Sequence, residues 1–220
     1  ALAQSGPFIA EQVAQIDSKD MSFAVWAQLA ARVNHFLAQP DVQGIVITHG
    51  TDTLEETAYF LQAVCQPAKP VVLTCAMRPA TALVPDGPQN LLDAVCVARH
   101  PGAQGVVAVC AGTLHGALEV QKVHPYRLDA FSSGDAGPLG YVEEGRLRLL
   151  RSWPSAQPGR LVSCQAQIVG TPASAENRLG TLDATREARK SIDLGRPEDW
   201  PRVEIVMRYA GAGGAVVDAL

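Results

Sequence analysis

A chain of 220 residues with a formal net charge of −4 is long enough for one sizeable domain, or for one domain and a piece of another. Hydrophobic residues make up 47% and charged residues 18%, a balance that excludes a disordered chain. The mild acidity argues against a dedicated nucleic-acid binder, which needs a basic stripe for the phosphates, and no apolar run approaches the ~18 residues of a membrane span.

In chain order, the first informative segment is residues 15–21, Gln-Ile-Asp-Ser-Lys-Asp-Met. Ser18 or Asp20 can cap a following helix there, or Ser18 can donate a hydrogen bond to a ligand carboxylate. Phe23, Trp26, Leu29, Val33 and Leu37 recur at near-helical spacing, and residues 54–64 and 91–99 show the same pattern. Three β-branched runs at 44–48, 70–75 and 105–110 show little polar alternation, as strands buried on both faces of a parallel sheet do. The alternation of strand and helix predicts an α/β fold with a parallel, flavodoxin- or Rossmann-like sheet over residues 1–150. Residues 151–201 read as a linker or insertion, with several Pro and Gly and no strong periodicity. Residues 202–220 read as the start of a second α/β domain, with a strand at 203–207 and a Gly-rich turn at 211–215.

Ligands of such sheets bind beyond the carboxyl ends of the strands. After the first run comes His-Gly-Thr-Asp-Thr at 49–53, leading into a helix. Thr51 and Asp52 can cap that helix, or can hold a ligand near its free N–H groups. Ala76 and Arg78 follow the second run, and Asp86 stands before another helix, where a cap with Pro88 in the first turn is the simple reading. Lys122 follows the third run. It is either a solvated surface residue or an amine on the same rim as Thr51, able to serve as a base once it gives up its proton.

The five cysteines are odd in number and show no C-x-x-C spacing, so neither a disulfide framework nor a zinc site is expected. Cys75, Cys96 and Cys110 read as small core residues. The five histidines have no metal-ligand spacing, and no metal is expected. The residues by themselves describe an α/β enzyme or binding domain with a hydroxyl–carboxylate–amine cluster.

The run Ile-Val-Ile-Thr-His-Gly-Thr-Asp-Thr-Leu-Glu-Glu-Thr-Ala-Tyr-Phe-Leu at 45–61 resembles the second signature of the bacterial L-asparaginases and glutaminase-asparaginases. The likeness extends to residues 16–21, 76–79, 86–91, 120–122 and 137–141, and looks more like the type II branch. It implies hydrolysis of the side-chain amide of L-asparagine, with L-glutamine a further candidate, through a threonine acyl-enzyme. It implies no metal or organic cofactor. Thr51 would be the second catalytic threonine, Lys122 its paired lysine, and Asp52 the carboxylate that holds the substrate α-amino group and supports that triad. Ser18 would bind the α-carboxylate, and the Ala76 carbonyl would contact the side-chain amide. A homotetramer is the family's usual assembly, so a homo-oligomer is expected, with no nucleic-acid or membrane partner. The compartment is expected to be cytoplasmic or periplasmic, with a lean to the cytoplasmic.

Three departures accompany the resemblance, one being that the family's full C-terminal domain is expected to be represented here only by its first strand and turn. The family opens with a strand and a Thr-Gly-Gly-Thr-Ile-Ala loop whose first Thr is the usual nucleophile, and that motif is not among these 220 residues. The segment from about residue 160 to 197 exceeds the family's usual linker. The chain is therefore expected to be an incomplete form, inactive by itself. The alternative is a non-catalytic relative that binds acidic amino acids or only assembles with partners.

Overall fold

The computed structural model describes residues 6–154 and 192–202. The expected strand at 203–207, the turn at 211–215 and most of the 151–201 segment lie outside the described residues, as does Cys164.

Three helices and eight strands build the described domain. The helices are α1 (Phe23–Leu37), α2 (Leu54–Cys65) and α3 (Gly87–Ala98). The strands are β1 (Ile45–Thr48), β2 (Pro70–Thr74), β3 (Gly105–Cys110), β4 (Thr113–Gly116), β5 (Gln121–Lys122), β6 (Phe131–Ser132), β7 (Gly140–Glu143) and β8 (Arg146–Leu149). The main sheet runs β1-β2-β3-β4-β7-β8, and β5 and β6 form a separate two-stranded ribbon.

The near-continuous apolar character of β2 and β3 follows from helices on both faces. Every residue of both strands is buried. Val71, Leu73, Val106, Ala108 and Cys110 pack with Leu29, Val33, Leu54, Ala58 and Leu61 of α1 and α2. Val72, Val107 and Val109 point the other way, against Ala94 and Val97 of α3. A strand period of two thus divides one apolar run between two cores.

The α/β class stands, but the sheet is only half parallel. β1, β2 and β3 are parallel, whereas β3, β4, β7 and β8 pair antiparallel. The reversal is made at Ala111 and Gly112, with φ of 48° and 72°, which join β3 to β4 in two residues. Glu144 and Gly145 join β7 to β8 in the same way, at φ of 51° and 73°. Two successive positive φ values match the right-handed twist of a tight hairpin. Ala-Gly and Glu-Gly are weak signals for it, because neither Ala nor Glu favours that conformation.

β1 is an edge strand. An open cleft of about 1310 Å³ runs beside it, walled by Leu29 and Val33 of α1 and by Leu91 and Val95 of α3. Residues 6–16 also line it, and an Arg32–Glu11 ion pair of 2.6 Å fastens that segment to α1.

The β5–β6 ribbon is anchored by Val120, Ala130 and Phe131, all buried in the α1–α2 side of the core. His115 of β4 fastens it further, with Nδ1 2.8 Å from Oγ of Ser133. His115 is 2% exposed, and burial pushes its pKa down from 6.5 to about 4. The unfolded chain takes up this proton below its ordinary pKa while the folded chain refuses it, so stability is whole above pH 6.5 and falls toward pH 4. The shift corresponds to about 3 kcal/mol lost across that window. Urea unfolding at pH 7.5 and pH 4.5 measures it. A His115→Gln variant is expected to flatten that acid slope, and an unchanged slope would assign the acid sensitivity elsewhere.

Candidate active site

The turn at Ser18–Asp20, the loop between β1 and α2, and β5 meet at the carboxyl end of the parallel strands. The β1 loop leaves the sheet in register with β2, since His49 N donates to Thr74 O at 2.8 Å. It then passes under Ser18. A Cβ on Gly50 would overlap the Ser18 hydroxyl, so the close approach requires glycine.

Ser18 is 5% exposed and is tied to the loop twice. Its Oγ accepts from Asp52 N at 3.1 Å, and Thr53 Oγ1 donates to its carbonyl at 2.8 Å. These bonds replace the expected caps. Thr53 is the N-cap of α2 and makes no side-chain cap bond, while Ser22 takes the capping role at α1. Neither Thr51 nor Asp52 spends its side chain on the helix.

Both turn instead to Lys122. The Lys122 ammonium donates to Thr51 Oγ1 and to Asp52 Oδ1, each at 2.7 Å. The Lys122 side chain is 19% exposed and that of Asp52 51%. The cation is therefore sheltered while one carboxylate face stays open to solvent. The reading of Lys122 as a solvated surface residue fails on this geometry. Its main chain is held from behind, because the Glu55 carboxylate accepts a hydrogen bond from Lys122 N. Glu55 lies in the first turn of α2, where a negative charge also suits the positive end of the helix dipole.

A second buttress, invisible in the motif, fixes the loop just before Thr51. Trp26 Nε1 donates to Thr57 Oγ1 at 2.9 Å, and Thr57 Oγ1 lies 3.0 Å from His49 Nε2. His49 Nδ1 lies 2.8 Å from Gly50 O, an atom that can only accept. Nδ1 therefore carries the proton, and Nε2 accepts from Thr57. Burial lowers the His49 pKa, which keeps the ring in this neutral form.

Ala76 lies on the same rim, two residues beyond the end of β2, exposed and outside the hydrogen-bonded cluster. Asp86 was expected to cap α3, but its side chain makes no bond to that helix's N-terminal amides. It reaches back to the turn at Ala76, accepting from Met77 N and Arg78 N at 2.9 Å each. Two backbone N–H groups fixed by one carboxylate are a stronger attraction than a single cap. Asn90 joins this group from within α3. Its signal was the spacing of four from Asp86, one helical turn. Of the named site residues, Ser18, Thr51, Asp52 and Lys122 thus form one bonded cluster, with Ala76 beside it.

The large cleft along β1 reaches Ser18, His49 and Gly50 at one end but is not lined by Thr51, Asp52 or Lys122. The cluster is an open rim site, not a closed cavity.

The family described as "Asparaginase, N-terminal" matches residues 1–155. L-asparaginase 2 of Escherichia coli (strain K12) is 36% identical over 212 residues, covering 96% of this chain and 52% of that protein. The glutaminase-asparaginase of Pseudomonas fluorescens biotype A is 43% identical over 147 residues, covering 66% of this chain and 40% of that protein. The crystal structure of a probable cytoplasmic L-asparaginase from Campylobacter jejuni superposes with a TM-score of 0.65 at 42% identity, covering 67% of this chain and 48% of that one. The chain therefore spans about half the length of such relatives, or less. A match over residues 1–155, on a fold shared with a solved asparaginase, places the chain in the asparaginase family.

Proposed function

We propose that this chain carries the substrate-binding and proton-transfer half of an amidohydrolase that cleaves the side-chain amide of L-asparagine, giving L-aspartate and ammonia. The observation that carries this reading is the Lys122 amine held at 2.7 Å from both Thr51 Oγ1 and Asp52 Oδ1.

A hydroxyl is a weak nucleophile until a base removes its proton, and Lys122, in contact with Thr51 Oγ1, would act so as a neutral amine, after its ammonium has given up a proton to solvent. In the proposed reaction a threonine oxygen adds to the amide carbon and the C–N bond breaks. The proton taken from the hydroxyl leaves with the nitrogen as ammonia. Water then cleaves the threonine ester, releasing aspartate. Within this chain Thr51 would be the second catalytic threonine, Lys122 its paired base and Asp52 the carboxylate that supports the pair, while the attacking oxygen in the family is usually that of the Thr-Gly-Gly-Thr loop.

Asp52 has a second proposed role. Its half-exposed carboxylate has room to accept a hydrogen bond from a substrate α-ammonium, a charge-assisted contact. Ser18 would donate to the α-carboxylate. Its Oγ already accepts from Asp52 N, so its own proton remains available. L-Glutamine is a second candidate substrate, given that one relative is named a glutaminase-asparaginase. A homo-oligomer belongs to the same proposal, and light scattering of the purified protein tests it.

Ammonia release from L-asparagine by the natural full-length polypeptide tests the function. Lys122→Met is expected to lower kcat by about 100- to 10,000-fold, the usual weight of a general base, with little change in KM. A raised KM at unchanged kcat would sink the assigned role. Asp52→Ala is expected to lose both, since it removes an ammonium contact and the support of Lys122. Gly50→Ala should act on binding first, because its methyl displaces the Ser18 hydroxyl. A KM within twofold of the parent would contradict that placement.

A further inference from the structure

We propose that Asp86 and Asn90 are positioning residues that aim the Ala76 carbonyl at the side-chain amide of the substrate. The proposal rests on the amidohydrolase reading above and adds to it the device that sets this contact.

The argument begins with one peptide unit. The Ala76 carbonyl and the Met77 N–H share a peptide plane, and no peptide bond among the described residues is cis. In a trans peptide the two groups point in opposite directions. Asp86 Oδ2 accepts from Met77 N at 2.9 Å, and Asp86 Oδ1 accepts from Arg78 N at the same distance. A carboxylate gripping two successive N–H groups fixes the plane of the 76–77 peptide and turns the Ala76 oxygen away from Asp86. Among the described residues nothing donates to that oxygen. It is an exposed acceptor with its orientation already set.

Asn90 fixes the preceding peptide and Asp86 itself. It is 3% exposed, and both its amide nitrogen and its amide oxygen are hydrogen-bonded. Nδ2 donates to Cys75 O at 2.9 Å and to Asp86 Oδ2 at 3.2 Å, and Oδ1 accepts from Ala111 N at 3.1 Å. One side chain thus joins the end of β2, the end of β3 and the carboxylate that holds the turn. The peptide before Ala76 is held by Asn90 and the one after it by Asp86, so both torsions at Ala76 are constrained. Gly87, at the start of α3, keeps the two segments close, since a Cβ there would come to 3.3 Å from Ala76 Cβ.

The chemistry this serves is specific. A carbonyl oxygen can only accept, so it favours a ligand offering N–H and disfavours one offering a carboxylate. An amide substrate has such an N–H, whereas its acid product does not. Aimed in advance, the oxygen discriminates between them without paying to reorganise.

Asp86→Ala and the isosteric Asp86→Asn test this in the full-length protein, with two measurements on each. One is kcat/KM for L-asparagine. The other is the dissociation constant for L-aspartate, which shares the α-amino and α-carboxylate contacts but lacks the amide. The expected result is a fall of about 10- to 100-fold in kcat/KM, the weight of one misaligned hydrogen bond. Aspartate binding should stay within threefold or tighten. Asp86→Asn keeps the volume and one acceptor, so it should fall between Asp86→Ala and the parent. A fall in aspartate binding in step with turnover would show a merely structural role and overturn the proposal. So would an unchanged kcat/KM in both variants. If the parent protein binds aspartate but turns over no asparagine, the amidohydrolase reading fails first, and this proposal with it.

Discussion

One ammonium group constrains the architecture of the site. Lys122 must stand within hydrogen-bond reach of Thr51 and Asp52, about seventy residues earlier in the chain. A cation that sheltered is tolerable only beside a partner of opposite charge, and Asp52 supplies it. The half-exposed setting of Asp52 matters equally. A fully buried pair would be costly and closed to substrate, while a fully exposed pair would be too loosely held to define a geometry.

The scaffold meets this constraint in two ways. Parallel pairing of β1 with β2 places the residues that follow each strand, Thr51 and Ala76 among them, on one rim. The antiparallel half then returns the chain toward that rim. A two-residue hairpin at Ala111–Gly112 sends β4 back along β3, and the β5–β6 ribbon carries Lys122 to the start of α2. Val120, Ala130 and Phe131 bury the ribbon in the core, and the His115–Ser133 contact fastens it to β4. The acid sensitivity of His115 is thus attached to the element that delivers the lysine.

Backbone-directed side-chain bonds recur across the site. Glu55 holds the Lys122 amide, His49 holds the Gly50 carbonyl, Thr53 holds the Ser18 carbonyl, and Asp86 holds two amides after Ala76. Each immobilises the main chain next to a residue whose side chain or carbonyl faces the rim. A ligand at this rim would meet groups whose orientation is fixed on folding, so arranging them would cost its binding little entropy.

The α/β class, the three parallel strands, the helices, and the cluster of Ser18, Thr51, Asp52 and Lys122 were legible in the sequence. Uninterrupted β-branched runs demand cover on both faces, and the long His-Gly-Thr-Asp signature is specific. The antiparallel half was not legible, because Ala111 and Glu144 are poor indicators of a left-handed turn. Nor was the choice between capping a helix and bonding a distant group. Thr51, Asp52 and Asp86 all stand before helices, and a short polar side chain there can bond its own helix or something distant with equal local ease. Only the tertiary structure decided, by bringing an ammonium to the first two and two free amides to the third. The sequence by itself determined which groups could do the chemistry. Their partners were set by contacts between residues far apart in the chain, which no local pattern encodes.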